Sequence, residues 1–283
     1  MKTAHDPIVD PEVQASIQHI VNNIDCADLS LDQWDLQVYL DQFDHWIKSS
    51  SYNAIQGLDS FPVRAYSCGS LESIVSFVHR HATKRRIRFS RAEFVASKIA
   101  ANHCQSNWCF LEDDVIKPDD AVIISAPFSG NGGYYPNFNN LIDLCNINNV
   151  PVLLDISYYG ISHGIAIDLN QPCITDVVCS LSKPMNVQFR LGIRFCKTDH
   201  DDLVQVNSNL KLFNRFSATV GIELMKNYTH NWFVEKYLPK HKNICKQHNL
   251  ESTNTFTLAI GSSPEFMRNG FCRVCITEEL LND

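Results

Sequence analysis

Between residues 63 and 195 the hydrophobic positions fall into short β-prone runs separated by longer stretches of helical period. The runs are 63–67, 87–90, 121–126, 150–155, 174–180 and 192–195. Runs this short do not fill a multi-turn helix face but suit a strand covered on both sides. The clearest unit is 121–126, then helical spacing over 138–148, then a second run at 152–155. That is a strand–helix–strand crossover, the connection that joins parallel neighbours. Its repetition predicts an α/β fold, a three-layer α/β/α domain with a mainly parallel sheet and helices on both faces. In such sheets ligands sit beyond the carboxyl ends of the strands.

The flanks follow other rhythms. Residues 7–50 read as helical: Asp10-Pro11 places a cap and a proline at a helix start, and Ser30-Leu31-Asp32-Gln33 has capping-box spacing. Trp34, Val38, Phe43, Trp46 and Ile47 then recur at helical intervals and read as packing residues. Residues 49–57 break the pattern, and Tyr52 in this loop is a candidate ligand contact. After Asp201 come helical stretches at 203–228 and 232–248 and strand-like runs at 255–260 and 271–276, a short α+β unit. The expected organisation is therefore an N-terminal helical segment (1–60), a large domain (61–200) and an abbreviated C-terminal small domain (201–283).

Composition narrows the function classes. At 283 residues, 45% hydrophobic and 19% charged, the chain can bury a substantial core and is not a disordered one. A formal net charge of −7 argues against a general nucleic-acid or anionic-membrane partner. The one basic cluster, Lys84-Arg85-Arg86 with Arg88 and Arg91, reads as a solvated strand entrance. No signal peptide or bilayer-length apolar run is visible. Eleven cysteines form an odd count, scattered through apolar runs (Cys145, Cys173, Cys179, Cys196), which suits small buried hydrophobes in a reducing, cytoplasmic setting. The lone Cys272-x-x-Cys275 has no second pair to complete a zinc site, so no metal is expected.

The candidate chemistry gathers at three run ends. Lys183 follows an apolar run between small hydroxylic neighbours, Ser180 and Ser182, with no carboxylate nearby in sequence. A lysine held out of water loses its proton more readily, and a neutral amine can attack a carbonyl to form a Schiff base. Arg190, seven residues on, offers a planar fork suited to phosphate or to a buried carboxylate. Asp155 closes the run Pro-Val-Leu-Leu-Asp as a helix cap, a structural acceptor or the partner of a ligand cation, with Tyr158 three residues later. Gly69, between the run 63–67 and a helix-period stretch, forms either a plain connection or a turn whose free N–H groups meet an anion.

The order of these features resembles the fold type I pyridoxal-phosphate enzymes, in the class I/II aminotransferase group that includes histidinol-phosphate aminotransferase. Gly69-Ser70-Leu71-Glu72 resembles that family's phosphate-cradling helix start, and Ser125-Ala126-Pro127-Phe128-Ser129-Gly130-Asn131-Gly132 its Asn-Pro-x-Asn-Pro-Thr-Gly loop. Asp155-Ile156-Ser157-Tyr158 is similar to its Asp-x-x-Tyr, Ser180-Leu181-Ser182-Lys183 to its Ser-x-Ser-Lys, and Arg190-Leu191-Gly192 to its Arg-x-Gly. Phe271-Cys272-Arg273-Val274 resembles the segment with its late substrate-carboxylate arginine. The resemblance implies pyridoxal 5′-phosphate held covalently by Lys183, with Asp155 at the pyridine nitrogen and Tyr158 at the ring hydroxyl. It implies a phosphate gripped by Gly69, Ser70, Ser180 and Arg190, with Leu71 and Ser182 also at the cofactor. Phe94 would stack on the ring, Ser129 would stand where the family has asparagine, and Arg273 would clamp the carboxylate of an amino-acid or amine substrate. Family members are homodimers in which a partner tyrosine touches the phosphate, and Tyr52 is the counterpart nominated here.

Four departures qualify the reaction more than the cofactor. Ser129 is shorter than asparagine, the interval from Lys183 to Arg190 is one residue shorter than the group's, Pro184 follows the lysine directly, and the small domain ends soon after Arg273. The expected activity is transamination of an α-amino acid. The alternatives are another outcome of the same cofactor (decarboxylation, elimination, cyclisation or oxidation) or a catalytically silent binding relative. An unrelated nucleotide or methyl-donor protein built on the Gly69 turn would give Lys183 no role.

Overall fold

The computed structural model describes residues 6–30, 32, 34–185 and 188–282. Helices α1 (Pro11–Asn23) and α2 (Leu36–Lys48) lead to strand β1 (Ala54–Gln56). The alternating region follows as β2 (Val63–Cys68), α3 (Gly69–His81), β3 (Arg86–Phe89), α4 (Ala96–His103), β4 (Trp108–Phe110) and β5 (Asp120–Ser125). It continues through α5 (Phe138–Ile147), β6 (Val152–Asp155), β7 (Ala166–Asp168), β8 (Ile174–Ser180) and β9 (Leu191–Cys196). Helices α6 (Leu203–Asn209), α7 (Arg215–Asn227) and α8 (His230–Gln247) precede β10 (Glu251–Ser252) and β11 (Leu258–Ile260). The chain closes with β12 (Met267–Arg268), β13 (Phe271–Cys272), β14 (Val274–Cys275) and α9 (Thr277–Leu281).

The central sheet has seven strands in the order β2-β9-β8-β6-β5-β3-β4. Every pair is parallel except the two made by β9, which runs antiparallel to both β8 and β2. Alternation along the strands sends Ala121 and Ile123 to a layer with Phe77 and Val78 of α3 and Ala100 and Ala101 of α4. Val122 and Ile124 go to the opposite layer, with Tyr39 and Phe43 of α2, Ile142 of α5 and Leu224 of α7. Both faces are covered, which is why the strands read as continuous apolar runs. The C-terminal part is a three-stranded antiparallel sheet, β10-β11-β14, lying against α8.

Several boundaries differ from the sequence expectation. Leu31 and Gln33 of the capping-box candidate lie outside the described residues; helix α2 is capped instead by Asp35, whose Oδ1 accepts the Gln37 N–H at 2.9 Å. The stretch 203–228 is two helices, and the short strands β1, β4 and β7 carry too few residues to show a period. The basic cluster is the clearest correction. Arg88 is fully buried, and all five of its N–H donors are placed: on Asp120 Oδ2 at 2.7 Å and on the carbonyls of Cys109, Phe110, Asp114 and Val115. Asp120, also fully buried, accepts from Arg86 Nε at 2.7 Å as well. The cluster is therefore largely an internal clamp between the start of β5 and the exit of β4, its counter-charge being thirty-odd residues downstream.

Asp120→Ala would strand the Arg88 guanidinium in the interior, and roughly 3–5 kcal/mol of stability should be lost in urea unfolding at pH 7. Burial pushes the Asp120 carboxyl up, but the Arg86 and Lys117 N–H bonds and the Arg88 charge outweigh it and hold it below its usual range. Its stabilising contribution is thus present above the ordinary aspartate range, and it should fade in acid titrations as pH falls through the lowered folded value.

Candidate active site

Because β9 opposes its neighbours, its first residue lies at the same sheet edge as the last residues of β2, β8, β6, β5 and β3. Lys183 and Arg190 stand in the connection that enters β9, so the topology returns both to the edge where Asp155 ends β6. A cavity of about 360 Å³ opens there, with Asp155, Tyr158, Ser182, Lys183, Arg190 and Arg273 in its wall. Ser70, Phe94 and Ser129 also line it, as do six residues not singled out from the sequence: Pro7, Ala92, Glu93, Val95, Ser157 and Arg268.

One end of the cavity joins an amine to an acid. Asp155 is 8% exposed and accepts the Ser157 N–H at 2.8 Å. Burial pushes its carboxyl up, against the downward pull of Ser157, Ser70 and the Lys183 charge. Burial draws Lys183 down, Asp155 draws it back up, and the Arg273 charge adds to the lowering. The lysine therefore reaches its neutral form more easily than a surface lysine. Its Nζ lies 5.3 Å from the centroid of the Tyr158 ring. Pro184 is accommodated because the turn is closed by the next residue, Met185, whose N–H reaches the Leu181 carbonyl at 3.0 Å. The Lys183 carbonyl accepts the Ile8 N–H at 3.2 Å, so the N-terminal segment crosses the site and brings Pro7 over it.

At Arg190 the cavity meets the start of α3, a cradle of backbone, hydroxyls and one guanidinium. Gly69 opens α3 with φ +70°, in the left-handed region, and a Cβ there would lie 3.2 Å from Arg190 Nη2 and 3.5 Å from Ser180 Oγ. Gly192 makes that approach possible, since a Cβ on it would fall 2.9 Å from Gly69 Cα and 2.9 Å from the Ser67 carbonyl. The N-cap residue Cys68 gives no side-chain cap, which leaves the first N–H groups of α3 for a ligand. Ser180 and Ser182 are linked by a 2.5 Å hydroxyl–hydroxyl hydrogen bond beside them.

The third wall connects the loop after β5 to the C-terminal segment. The Ser129 hydroxyl donates to the Ala92 carbonyl at 2.8 Å, and its carbonyl accepts from Arg273 Nη1. Phe94 lines the cavity while remaining 48% exposed. Four sequence candidates are not in its wall: Gly69 and Ser180, which lie beside Arg190, and Leu71 and Tyr52. Leu71 is 38% exposed on α3 and is not in the wall, so the helix start offers its backbone rather than its side chain. Tyr52 is also 38% exposed and off the wall; its carbonyl accepts the Gly164 N–H at 2.8 Å. Glu93 and Arg268 left one signal each in the sequence, a carboxylate beside the aromatic candidate Phe94 and a cation five residues before Arg273.

Two other features lie apart from this cavity. A wider cleft of about 720 Å³ is bordered by Tyr134, Tyr135, Phe138 and Asp168, with no cationic side chain in its wall. Asp176, Cys196 and His200 bring potential ligand atoms within 4.8 Å of one another, but Arg80 already pairs with Asp176 and the Cys196 thiol donates to it. Cys145, Cys173, Cys179 and Cys196 are buried and free, and among the described residues no helix is long and apolar enough to cross a membrane.

Solved structures share this architecture along almost the whole chain. A probable N-succinyldiaminopimelate aminotransferase from Thermus thermophilus superposes with a TM-score of 0.68 at 13% identity, covering 100% of this chain and 91% of its own. An aromatic aminotransferase from Pyrococcus horikoshii gives 0.68 at 12% identity, with 98% and 91% covered. A PLP-bound C-S lyase from Staphylococcus hominis gives 0.67 at 12% identity, with 98% and 87% covered. No family model and no curated protein matches the sequence. The fold is the aminotransferase-like, fold type I architecture.

Gly192→Ala tests the cradle directly. The added methyl meets backbone rather than a yielding side chain, so a loss of about 1–3 kcal/mol is expected in urea unfolding. Weaker binding of inorganic phosphate, followed by calorimetry, should accompany it.

Proposed function

We propose that the chain is a pyridoxal-phosphate-dependent enzyme acting on an α-amino acid or related primary amine, with transamination as its reaction. The observation that carries this reading is one cavity that holds a partly desolvated lysine, a buried carboxylate and Arg190, the last packed against the glycine that opens α3. The fit has a second support: a Cβ on Gly69 would fill the space beside Arg190 Nη2, at 3.2 Å, and Ser180 Oγ, at 3.5 Å, which glycine leaves open.

In this reading Lys183 holds the cofactor through its Nζ, and Gly69, Ser70, Ser180, Ser182 and Arg190 receive the phosphate. Asp155 keeps a proton on the pyridine nitrogen, Tyr158 tunes the ring hydroxyl and Phe94 covers a ring face. Bound there, the cofactor supplies an electron sink that eases bond breaking at the amine-bearing carbon. Lys183 would also carry the proton to and from that carbon through Nζ. Arg273 fixes the substrate carboxylate, and its bond to the Ser129 carbonyl holds the guanidinium in place. Pro7 narrows the access of water from the N-terminal side.

The similarity to a C-S lyase as well as to aminotransferases favours elimination as the second outcome of the same site. A homodimer in a reducing, cytoplasmic compartment completes the proposal. The exposed Tyr52 would then reach the partner's phosphate.

Purified protein mixed with pyridoxal phosphate should turn yellow, with a visible band that borohydride removes. Lys183→Ala should lose that band while keeping its circular dichroism, and turnover should drop by at least about 100-fold. Products from an amino-acid panel then separate the chemistries: a keto acid with an aminated cofactor for transfer, or ammonia with a cleaved side chain for elimination. A protein that stays colourless and takes up no cofactor would refute the enzyme reading.

A further inference from the structure

Glu93 lies between Ala92 and the cavity residue Phe94, and the chemistry described above gives it no part. As a residue it keeps some exposure, but its carboxyl end is enclosed. Oε1 accepts the Ser125 N–H at 2.7 Å and the Ser125 hydroxyl at 2.8 Å. Oε2 lies 2.9 Å from the same hydroxyl and 3.3 Å from that of Ser129. Ser129 in turn donates its N–H to Ser125 Oγ at 3.0 Å and offers its carbonyl to Arg273. The carboxyl is therefore the fixed point of the turn 125–129, and Arg273 rests on the last carbonyl of that turn.

The structure assigns Glu93 as a positioning residue of the site: its carboxyl braces the turn 125–129 and so sets the Arg273 guanidinium, making the hold on Arg273 dependent on protonation at Glu93. Where Arg273 is taken to grip a substrate carboxylate, the assignment rests on the function proposed above.

The charged and titratable groups around Glu93 come from every neighbouring element. Asp155 and Tyr158 face it from the end of β6 and the turn beyond, and Tyr135 from the segment before α5. Lys183, Arg190, Arg268 and Arg273 share its cavity, Lys98 of α4 borders the adjoining cleft with it, and on its own segment Arg91 pairs with Asp113. Burial dominates and pushes the Glu93 carboxyl up to about 7, with the Asp155 charge adding to the rise and the Ser125 bonds opposing it. Above that value the carboxylate accepts the Ser125 hydroxyl and N–H, while the one Ser129 hydroxyl proton is shared between it and the Ala92 carbonyl. Below it one oxygen carries a proton, and the serine hydroxyls must reorient.

The first test needs no cofactor. A double-mutant cycle of Glu93→Gln with Arg273→Met, or with Arg273→Lys should the first fail to fold, is measured by urea unfolding at pH 8. Non-additivity is expected, because the two side chains meet through one turn; additivity within error overturns the brace. The second test uses the holoenzyme. Affinities of an α-methyl amino acid and of the matching amine without its carboxylate are read from the shift of the visible band between pH 5.5 and 8.5. Their ratio cancels the titration of the amine and reports the hold on the carboxylate, which Arg273→Lys measured alongside assigns to Arg273. In the wild type the amino acid should gain on the amine by on the order of fivefold as pH rises through about 7, the size of one hydrogen bond's contribution. In Glu93→Gln the ratio should be flat. A profile superimposable on wild type overturns the assignment. Non-additivity in a protein that forms no visible band supports the brace and refutes the proposed function instead.

Discussion

An amine and a carboxylate share one cavity at the edge of this sheet, and the burial that removes their water is what the rest of the site depends on. Each charge alone would be driven toward its neutral form by desolvation. Together Lys183 and Asp155 oppose that drive, so both stay responsive: the lysine can lose its proton, and the acid can keep or give up its own. A solvated lysine would stay protonated and inert as a nucleophile.

Those walls are made by packing that has no margin for a side chain at two points. Gly192 lets β9 pass against the Gly69 turn, and that contact puts Arg190 beside the first turn of α3. The N-terminal segment closes another side. Asp10 caps α1 through the N–H groups of Glu12 and Val13, accepts from the Tyr237 hydroxyl and pairs with Lys236 of α8 at 2.7 Å. Ile8, two residues before it, is tied to the Lys183 carbonyl. The first and last parts of the chain therefore meet over the site, and the short C-terminal unit contributes Arg268 and Arg273 to it.

How much of this was legible depends on how far each signal travels along the chain. Strand runs and the helix over 138–147 show their period within ten residues, and they emerge nearly where expected. Arg88 could not be read in the same way. Its carboxylate partner, Asp120, is 32 residues away, and locally it is one more cation in a basic stretch. The start of α2 moved because Asp35 offers an oxygen to the N–H of Gln37, a competition between nearby caps that spacing alone does not resolve. Glu93 was missed for a similar reason. A carboxylate in a loop reads as solvated until the loop is seen to turn inward onto Ser125 and Ser129.

By itself the sequence determined the fold class and the members of the central set, because buried parallel strands and the residues closing them are written in local apolar pattern and in short motifs. Lys183, Asp155, Tyr158 and Arg190 were visible as types at spacings. Only the tertiary structure decided that they face one another. The direction of β9 is chosen by sheet pairing rather than by its residues, and it is that reversal which returns Lys183 and Arg190 to the edge where Asp155 ends. The same folding buried Glu93 beside them and drew Pro7 and Arg273 from opposite ends of the chain. Burial and proximity across such distances are properties of packing, not of neighbouring letters.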